Sequence, residues 1–279
     1  MRITEIPRGG SRVLQQPRKG KPAVTAIGSR PELDHTAEMD APSAPAVFRP
    51  IMLHRWSTMT FLHWPYRPSV VQRLLPGSLE VETVDGQAWI GLLPFRMQDL
   101  RVPGLPPAPW ISQFPETNVR TYVRGPDGQS AIWFLSLEAA RLPAVLAARA
   151  TYGLRYFWAD MSVNQDGRQV RYHSRRRWPG PSGAASRVVV EVGSPLGVDE
   201  LGELDHFLTA RYVLYTFVAG RLVHAQAEHP PWPLTRARVV DLEENLVEAA
   251  GLPTPQGQPL VHHSAGVPVR ISAWKPVST

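Results

Sequence analysis

The segment Phe114-Pro115-Glu116-Thr117-Asn118-Val119-Arg120-Thr121-Tyr122-Val123 gathers groups that can hold an anion and move a proton. In an extended strand alternate side chains share a face, so Glu116, Asn118, Arg120 and Tyr122 form one row and Thr117, Val119, Thr121 and Val123 the other. Arg120 offers a fork that matches a carboxylate, and Glu116 a carboxyl able to give or take a proton. Two placements follow. If Val119 and Val123 pack outward beneath helices, the polar row lines a cavity; if they face the core, the row is solvated surface. A second polar run, Arg171-Tyr172-His173-Ser174-Arg175-Arg176-Arg177, carries the same ambiguity, and its arginines would need acidic partners if buried.

Several chemistries are excluded by residue type. The chain has no cysteine, which removes disulfides, thiolate metal sites and cysteine nucleophiles. Lysine occurs only at Lys19, Lys21 and Lys275, so an amine nucleophile has almost nowhere to come from; every other basic side chain is arginine, which keeps its charge. There is no GxGxxG, P-loop, HExxH or GxSxG motif. His63, His224, His229, His262 and His263 are the candidates for a metal site, but neighbours such as His262 and His263 point to opposite faces of a strand, and neither metal nor cofactor is expected. Aromatic clusters at His63-Trp64-Pro65-Tyr66, Tyr156-Phe157-Trp158 and His229-Pro230-Pro231-Trp232-Pro233 suit pocket walls and core packing equally.

The chain has 279 residues, of which 43% are hydrophobic and 19% charged, enough for one large core. Its net charge of +6 resides in residues 1–30, where seven basic side chains face Glu5 alone. That stretch is proline-punctuated and lacks apolar periodicity, so residues 1–45 read as a disordered basic tail and residues 46–279 as a single domain. No apolar run approaches the roughly 18 residues that span a bilayer, and a cytoplasmic location without membrane partners is expected. Nucleic acid is not the expected partner either, although the tail keeps open a reading in which it recruits nucleic acid or an acidic protein. The oligomeric state is not legible.

Turn chemistry organises the domain. Pro68 to Leu75 forms a short helix; Leu79 to Val84 and Ala88 to Phe95 form a hairpin about Asp85-Gly86; Val119 to Arg124 and Ala131 to Leu137 form a second about Gly125 to Gly128. Ala144 to Tyr152 is a helix stopped by Gly153, Asp166-Gly167 turns a third hairpin, and Arg187 to Val192 is a β-branched strand. Asp199 to Arg211 reads as a helix capped by Asp199, Val213 to Val218 pairs with Leu222 to Glu228, and strands near Leu260 to His263 and Val269 to Trp274 end the chain. The sum is α+β, mainly antiparallel strands. So many hairpins need their edges hidden, by curling into a barrel or stacking in two layers, and either encloses an interior.

Successive blocks then resemble the YqjF-like proteins: Phe61-Leu62-His63-Trp64, Asp85-Gly86-Gln87-Ala88-Trp89-Ile90-Gly91, Glu116 to Val123, Phe134-Leu135-Ser136-Leu137-Glu138-Ala139, Ala148 to Leu154, Phe207 to Tyr212 and His229-Pro230-Pro231-Trp232-Pro233-Leu234. That family is similar in fold to acetoacetate decarboxylase, which implies a cone-like, mainly antiparallel β-barrel with a few covering helices around a small-molecule cavity. The decarboxylase mechanism needs a Schiff-base lysine, and the resemblance sets Tyr156 at that position, with Arg155 where a proline is expected. Tyrosine cannot form an imine. The implied protein binds an acidic or carbonyl-bearing metabolite among Glu116, Asn118, Arg120, Tyr122 and Tyr156. In it Arg120 clamps an anion, Arg149 balances Glu116, and the Trp64 or Trp232 cluster caps the mouth. Glu116 is the acid/base and Tyr156 a hydrogen-bond donor to an enolate-like oxygen, if there is turnover; enzyme and non-catalytic binder stand level.

Overall fold

A computed structural model of the chain describes residues 45–277. The basic tail, all but Pro45, and whatever it recruits lie outside the described residues.

In chain order the elements are β1 (Pro50–Tyr66), α1 (Pro68–Gln72), β2 (Glu80–Val81), β3 (Ala88–Arg101), β4 (Phe114–Arg124), β5 (Ser130–Ala139) and α2 (Leu142–Tyr152). There follow β6 (Tyr156–Asp166), β7 (Gln169–Trp178), β8 (Ala185–Pro195), α3 (Glu203–Thr209), β9 (Val213–Val218), β10 (Arg221–Glu228), β11 (Leu234–Glu244), α4 (Leu246–Ala249), β12 (Leu260–Ser272) and β13 (Lys275–Pro276). All strands belong to one sheet. Two long strands act as junctions. One edge of β5 lies along β4, while its other edge is shared between β9, at Ile132 and Trp133, and β6, at Leu137 to Ala139, both in parallel. Likewise β12 runs along β1 on one edge and divides the other between β11 and β10. The run β4-β3-β1 joins the two junctions on one side, and two branches, β6-β7-β8-β11 and β9-β10, join them on the other, making an uneven ring. Among the described residues no helix is long and apolar enough to cross a membrane.

This layout leaves β4 buried on both faces from Glu116 to Val123. Behind it, Val119 packs with Leu62, Ile90 and Leu92, with Val71 of α1, and with Leu246 and Val247 of α4. Val123 packs with Leu79 and Tyr215. The apolar row of β4 is therefore covered from outside by helices, and its polar row must point inward.

Three readings of the sequence are corrected. The segment at Leu79 does not form a hairpin with β3: only a Val84–Gln87 bridge closes at Asp85-Gly86, and β2 pairs instead with Val123 and Arg124 of β4. The reason is Glu82, a buried carboxylate whose guanidinium partners, Arg211 and Arg124, each 2.7 Å away, lie on that side. The helix at Asp199 is split, because Leu201 and Gly202 are extended. Val198–Glu200 is a single tight turn, and α3 starts at Glu203 with Gly202 as its N-cap, the Gly202 N–H donating to Asp205 at 2.9 Å, so Asp199 does not cap it. The last two strands are one continuous β12, bent at Gly266 with φ 118°, where a side chain would strike the Trp56 carbonyl of β1. In contrast, Gly125 to Gly128, Asp166-Gly167 and Ala219-Gly220 turn β4 into β5, β6 into β7 and β9 into β10.

Gly153 ends α2 at φ 61°, and a Cβ there would run into the Phe217 carbonyl oxygen. Gly153→Ala is expected to lose more than the roughly 1–2 kcal/mol of a left-handed alanine, because the helix end must also lift off β9. Urea unfolding checks this, and a loss under about 1 kcal/mol would show that the α2–β9 contact is loose.

Candidate functional site

The inward row of β4 faces a cavity of about 580 Å³. Glu116, Asn118 and Arg120 line it, with Tyr156 from the start of β6. Most of the wall is apolar, including Met59, Phe95, Phe134, Leu137, Leu214 and Trp232. One rim is the loop after β3, where Val102 and Leu105 are exposed, and another is α2, which turns Ala144, Ala147, Ala148 and Thr151 toward the space.

Glu116 is buried, and the Tyr156 hydroxyl donates to its Oε2 at 3.2 Å. Burial pushes its pKa from the ordinary 4.5 up to about 8; the Tyr156 bond works against this and the charge of nearby Glu138 adds to it. Glu116 is therefore a neutral acid at pH 7. Burial, and then the adjoining Glu116, drives the Tyr156 hydroxyl well above its usual range, so it stays a donor. Asn118 is buried with no partner for Oδ1.

Arg120 is buried too, and its hydrogen bonds leave from Nη2 alone, to the Leu208 carbonyl at 2.9 Å and the Tyr122 hydroxyl at 3.3 Å. Its Nε is buried without a partner, and no carboxylate of the described residues lies within 4.0 Å. Its guanidinium stands 5.9 Å from the Phe61 ring and 5.4 Å from that of Tyr122. Tyr122 gives its hydroxyl hydrogen to Leu208 at 2.9 Å and contacts His63 Nε2 at 2.6 Å. With that hydrogen spent on Leu208, His63 Nε2 is the donor and Nδ1 is left unpartnered. Burial, then Arg120, then His262 hold His63 well below its usual pKa, hence neutral. Tyr122 thus props Arg120 from behind rather than lining the cavity.

Two more expected site residues lie elsewhere. Arg149 does not stand beside Glu116: one position past Ala148, it leaves α2 on the exposed side, where Nη1 donates to the Tyr156 carbonyl at 2.7 Å and the guanidinium lies over Trp178. A proton, not a guanidinium, neutralises Glu116. Trp64 belongs to the core behind β4, donating to Gly257 at 3.3 Å, whereas Trp232 is a cavity wall, stacked 6.0 Å from Trp56. The arginine-rich run of β7 alternates: Arg171, Arg175 and Arg177 are exposed, while buried Arg176 pairs with Glu138 of β5 and stacks on Phe157.

The wall carries further polar residues that were not expected at the site, among them Arg101, Thr209, Arg211 and His54, together with His229, which the sequence singled out only as a candidate metal ligand and a member of an aromatic cluster. Arg211 pairs with Glu82 and stacks on Phe207 at 4.3 Å. His229 contacts the Pro230 carbonyl at 2.8 Å. Among the described residues His54 has no partner for either ring nitrogen, and burial pulls its pKa down to about 3. The alternation of His54 and Trp56 was the available signal, hidden because β1 does not read as a strand. Among the described residues no three His, Asp or Glu side chains gather as metal ligands, and the one lysine, Lys275, is exposed on β13 and outside the cavity wall.

Three comparisons bear on this architecture. Residues 54–268 match the family model DUF2071, described as an uncharacterized conserved protein. A protein of Bacillus subtilis (strain 168), YqjF, is 37% identical over 214 residues, 77% of this chain and 87% of the relative. Among solved structures, acetoacetate decarboxylase from Legionella pneumophila superposes with a TM-score of 0.58 at 14% identity, covering 91% of this chain and 98% of that one. The enduracididine biosynthesis enzyme MppR complexed with pyruvate does so with a TM-score of 0.56 at 12% identity, covering 88% and 95%. These structures share the fold. The chain belongs to the DUF2071 family, with YqjF as a relative, on an acetoacetate decarboxylase-like fold.

Proposed function

We propose that the strand ring works as a cone-like barrel whose cavity binds a small acidic, carbonyl-bearing molecule, and that Glu116 and Tyr156 exchange a proton with it in a lyase-like step without an imine. The observation that carries this is the buried guanidinium of Arg120, which has no acidic partner among the described residues yet shares a cavity wall with a buried, protonated carboxyl. A cation desolvated among aromatic rings is costly until an anion arrives, so the cavity selects for one. Arg211 adds a second guanidinium, and Glu82, its counterion, also serves Arg124. The bound molecule's anionic group sits at Arg120. Its carbonyl oxygen takes the Glu116 proton while a water molecule removes one from the adjacent carbon, giving an enol, with the Tyr156 hydroxyl a second donor to that oxygen; the reverse transfers return the proton to Glu116. That a neighbour of this fold is known in complex with pyruvate, a short keto acid, agrees with this ligand class.

Exchange of the α-protons of pyruvate and acetoacetate in D₂O, followed by NMR, tests the chemistry. Glu116→Gln is expected to bind within a few-fold of the original chain and to exchange about 10²–10⁴ times more slowly; unchanged exchange would reject Glu116 as the acid. Arg120→Gln is expected to abolish the thermal stabilisation these anions give, and retained stabilisation would remove Arg120 from the site. Because the active form carries the proton, the rate should fall as pH rises through about 8.

The same shift appears in stability. A carboxyl whose folded pKa is raised contributes fully below its ordinary value, and that contribution is lost as pH rises toward about 8. The buried histidines act in the opposite sense: His54 and His263, lowered by burial to about 3 and about 4, cost stability as pH falls below 6.5. The interval from 6.5 to 8 lies above the histidine window, and Glu138 and Glu244, whose carboxyls burial also raises, are common to the original chain and Glu116→Gln and cancel between them. There the original chain should lose about 2 kcal/mol relative to Glu116→Gln. Parallel urea-unfolding curves for the two proteins across that interval would contradict a raised pKa.

A further inference from the structure

The cavity is far larger, and far more apolar, than a short keto acid needs. Its 580 Å³ lies mid-range for pockets that enclose drug-sized ligands of about 300–1,000 Å³. The polar groups are spread along one wall: from Glu116 to Arg120 the strand covers about 13 Å at its ordinary rise. Opposite and around them stand Met59, Phe95, Ile132, Leu137, Leu214 and Trp232. A short polar acid held at Arg120 would leave this surface facing trapped water or nothing, and either forfeits contacts. The rims point the same way. On α2 the cavity-facing positions Ala144, Ala147, Ala148 and Thr151 recur at helical spacing, so the helix leaves room where a core-packing helix would place leucines. At the loop rim, beside Arg101, Val102 and Leu105 are 57% and 60% exposed, apolar side chains that the described residues leave uncovered.

We infer that the ligand is an amphiphilic monocarboxylate: its carboxylate meets the Arg120 guanidinium, with the unpaired Asn118 and Arg120 Nε groups beside it, and an extended apolar body fills the wall from Phe95 and Leu137 out to α2 and the Leu105 lip. This rests on Arg120 as the anion site. The His54 ring, unpartnered on the same wall toward the lip, is where a polar substituent on the far end of that body would find a partner.

Calorimetric titration of the full chain with acetoacetate, pyruvate, butyrate, hexanoate, octanoate and decanoate, and with decanol, tests this. Each added methylene is expected to tighten binding about fourfold up to octanoate or decanoate, and decanol should bind at least tenfold more weakly than decanoate. Ala148→Phe, a substitution at a half-buried helix position, should weaken decanoate at least tenfold while changing butyrate less than twofold. Short acids that bind without any gain along the series would overturn the amphiphile and leave the Arg120 anion site standing. Decanol equal to decanoate would overturn the carboxylate anchor. Failure of every acid, short and long, would reject the anion site itself and the amphiphile with it. Unchanged decanoate affinity in Ala148→Phe, in a protein with the original unfolding midpoint, would move the apolar body away from α2.

Discussion

A strand buried on both faces cannot hide polar side chains in solvent, and β4 is such a strand. Its outward row is committed to α1, α4 and the neighbouring strands, so Glu116, Asn118 and Arg120 face the interior, whatever that interior holds. A solid apolar interior would make the arrangement untenable, since a guanidinium and a carboxyl would then be desolvated with little return. The cavity is what makes the sequence of β4 compatible with its place in the sheet, and the ring of strands is what makes the cavity. Each depends on the other.

The way buried charges are settled separates structure from site. Arg176 and Glu138 pair directly, with Ser136 and the Phe157 ring completing their surroundings. Arg211 and Glu82 pair as well, and that contact draws β2 onto the edge of β4. These groups are satisfied without any ligand. Arg120 and Glu116 differ: they sit two pleats apart on one face, yet Arg120 relies on a backbone carbonyl, a tyrosine hydroxyl and ring faces, and Glu116 becomes neutral by keeping its proton. Had they been paired with each other, both would be quiet structural ions. Keeping them apart leaves a guanidinium with no acidic partner among the described residues and a protonated carboxyl in the same enclosure.

Much of this was legible in the sequence where local rules are strong. Period-two alternation set the two faces of β4 correctly, and glycine-containing turns marked the hairpins β4–β5, β6–β7 and β9–β10. The choice between cavity and surface for the polar row was not legible, because it depends on which helices cover Val119, and those come from residues far along the chain. Long-range pairing also defeated the reading of β2, since Glu82 answers to Arg211 rather than to the adjacent turn. Arg149 was misplaced for a subtler reason: on a helix one residue separates Ala148, which faces the cavity, from a neighbour rotated about 100° away toward solvent. His54 was missed because β1 mixes histidine, tryptophan, serine and threonine, and its strand character is imposed by β3 and β12 on its two edges.

The loss of lysine from the interior reshapes what this fold can do. An imine-forming amine would itself be a buried cation needing to be discharged, and a cavity built around one gains from guanidiniums that lower its pKa. Here the resemblance sets Tyr156 at that position, and its hydroxyl points at Glu116. The consequence runs through the electrostatics: the hydrogen bond from a neutral phenol opposes protonation of Glu116 less than burial favours it, and the carboxyl is lifted to about 8. A lysine ammonium in the same place would pull Glu116 down into an ion pair and turn the acid into a counterion. A phenol in place of an amine therefore does more than remove a nucleophile: it leaves the neighbouring carboxyl protonated rather than paired, while the guanidinium on the same row stands further along β4 at Arg120.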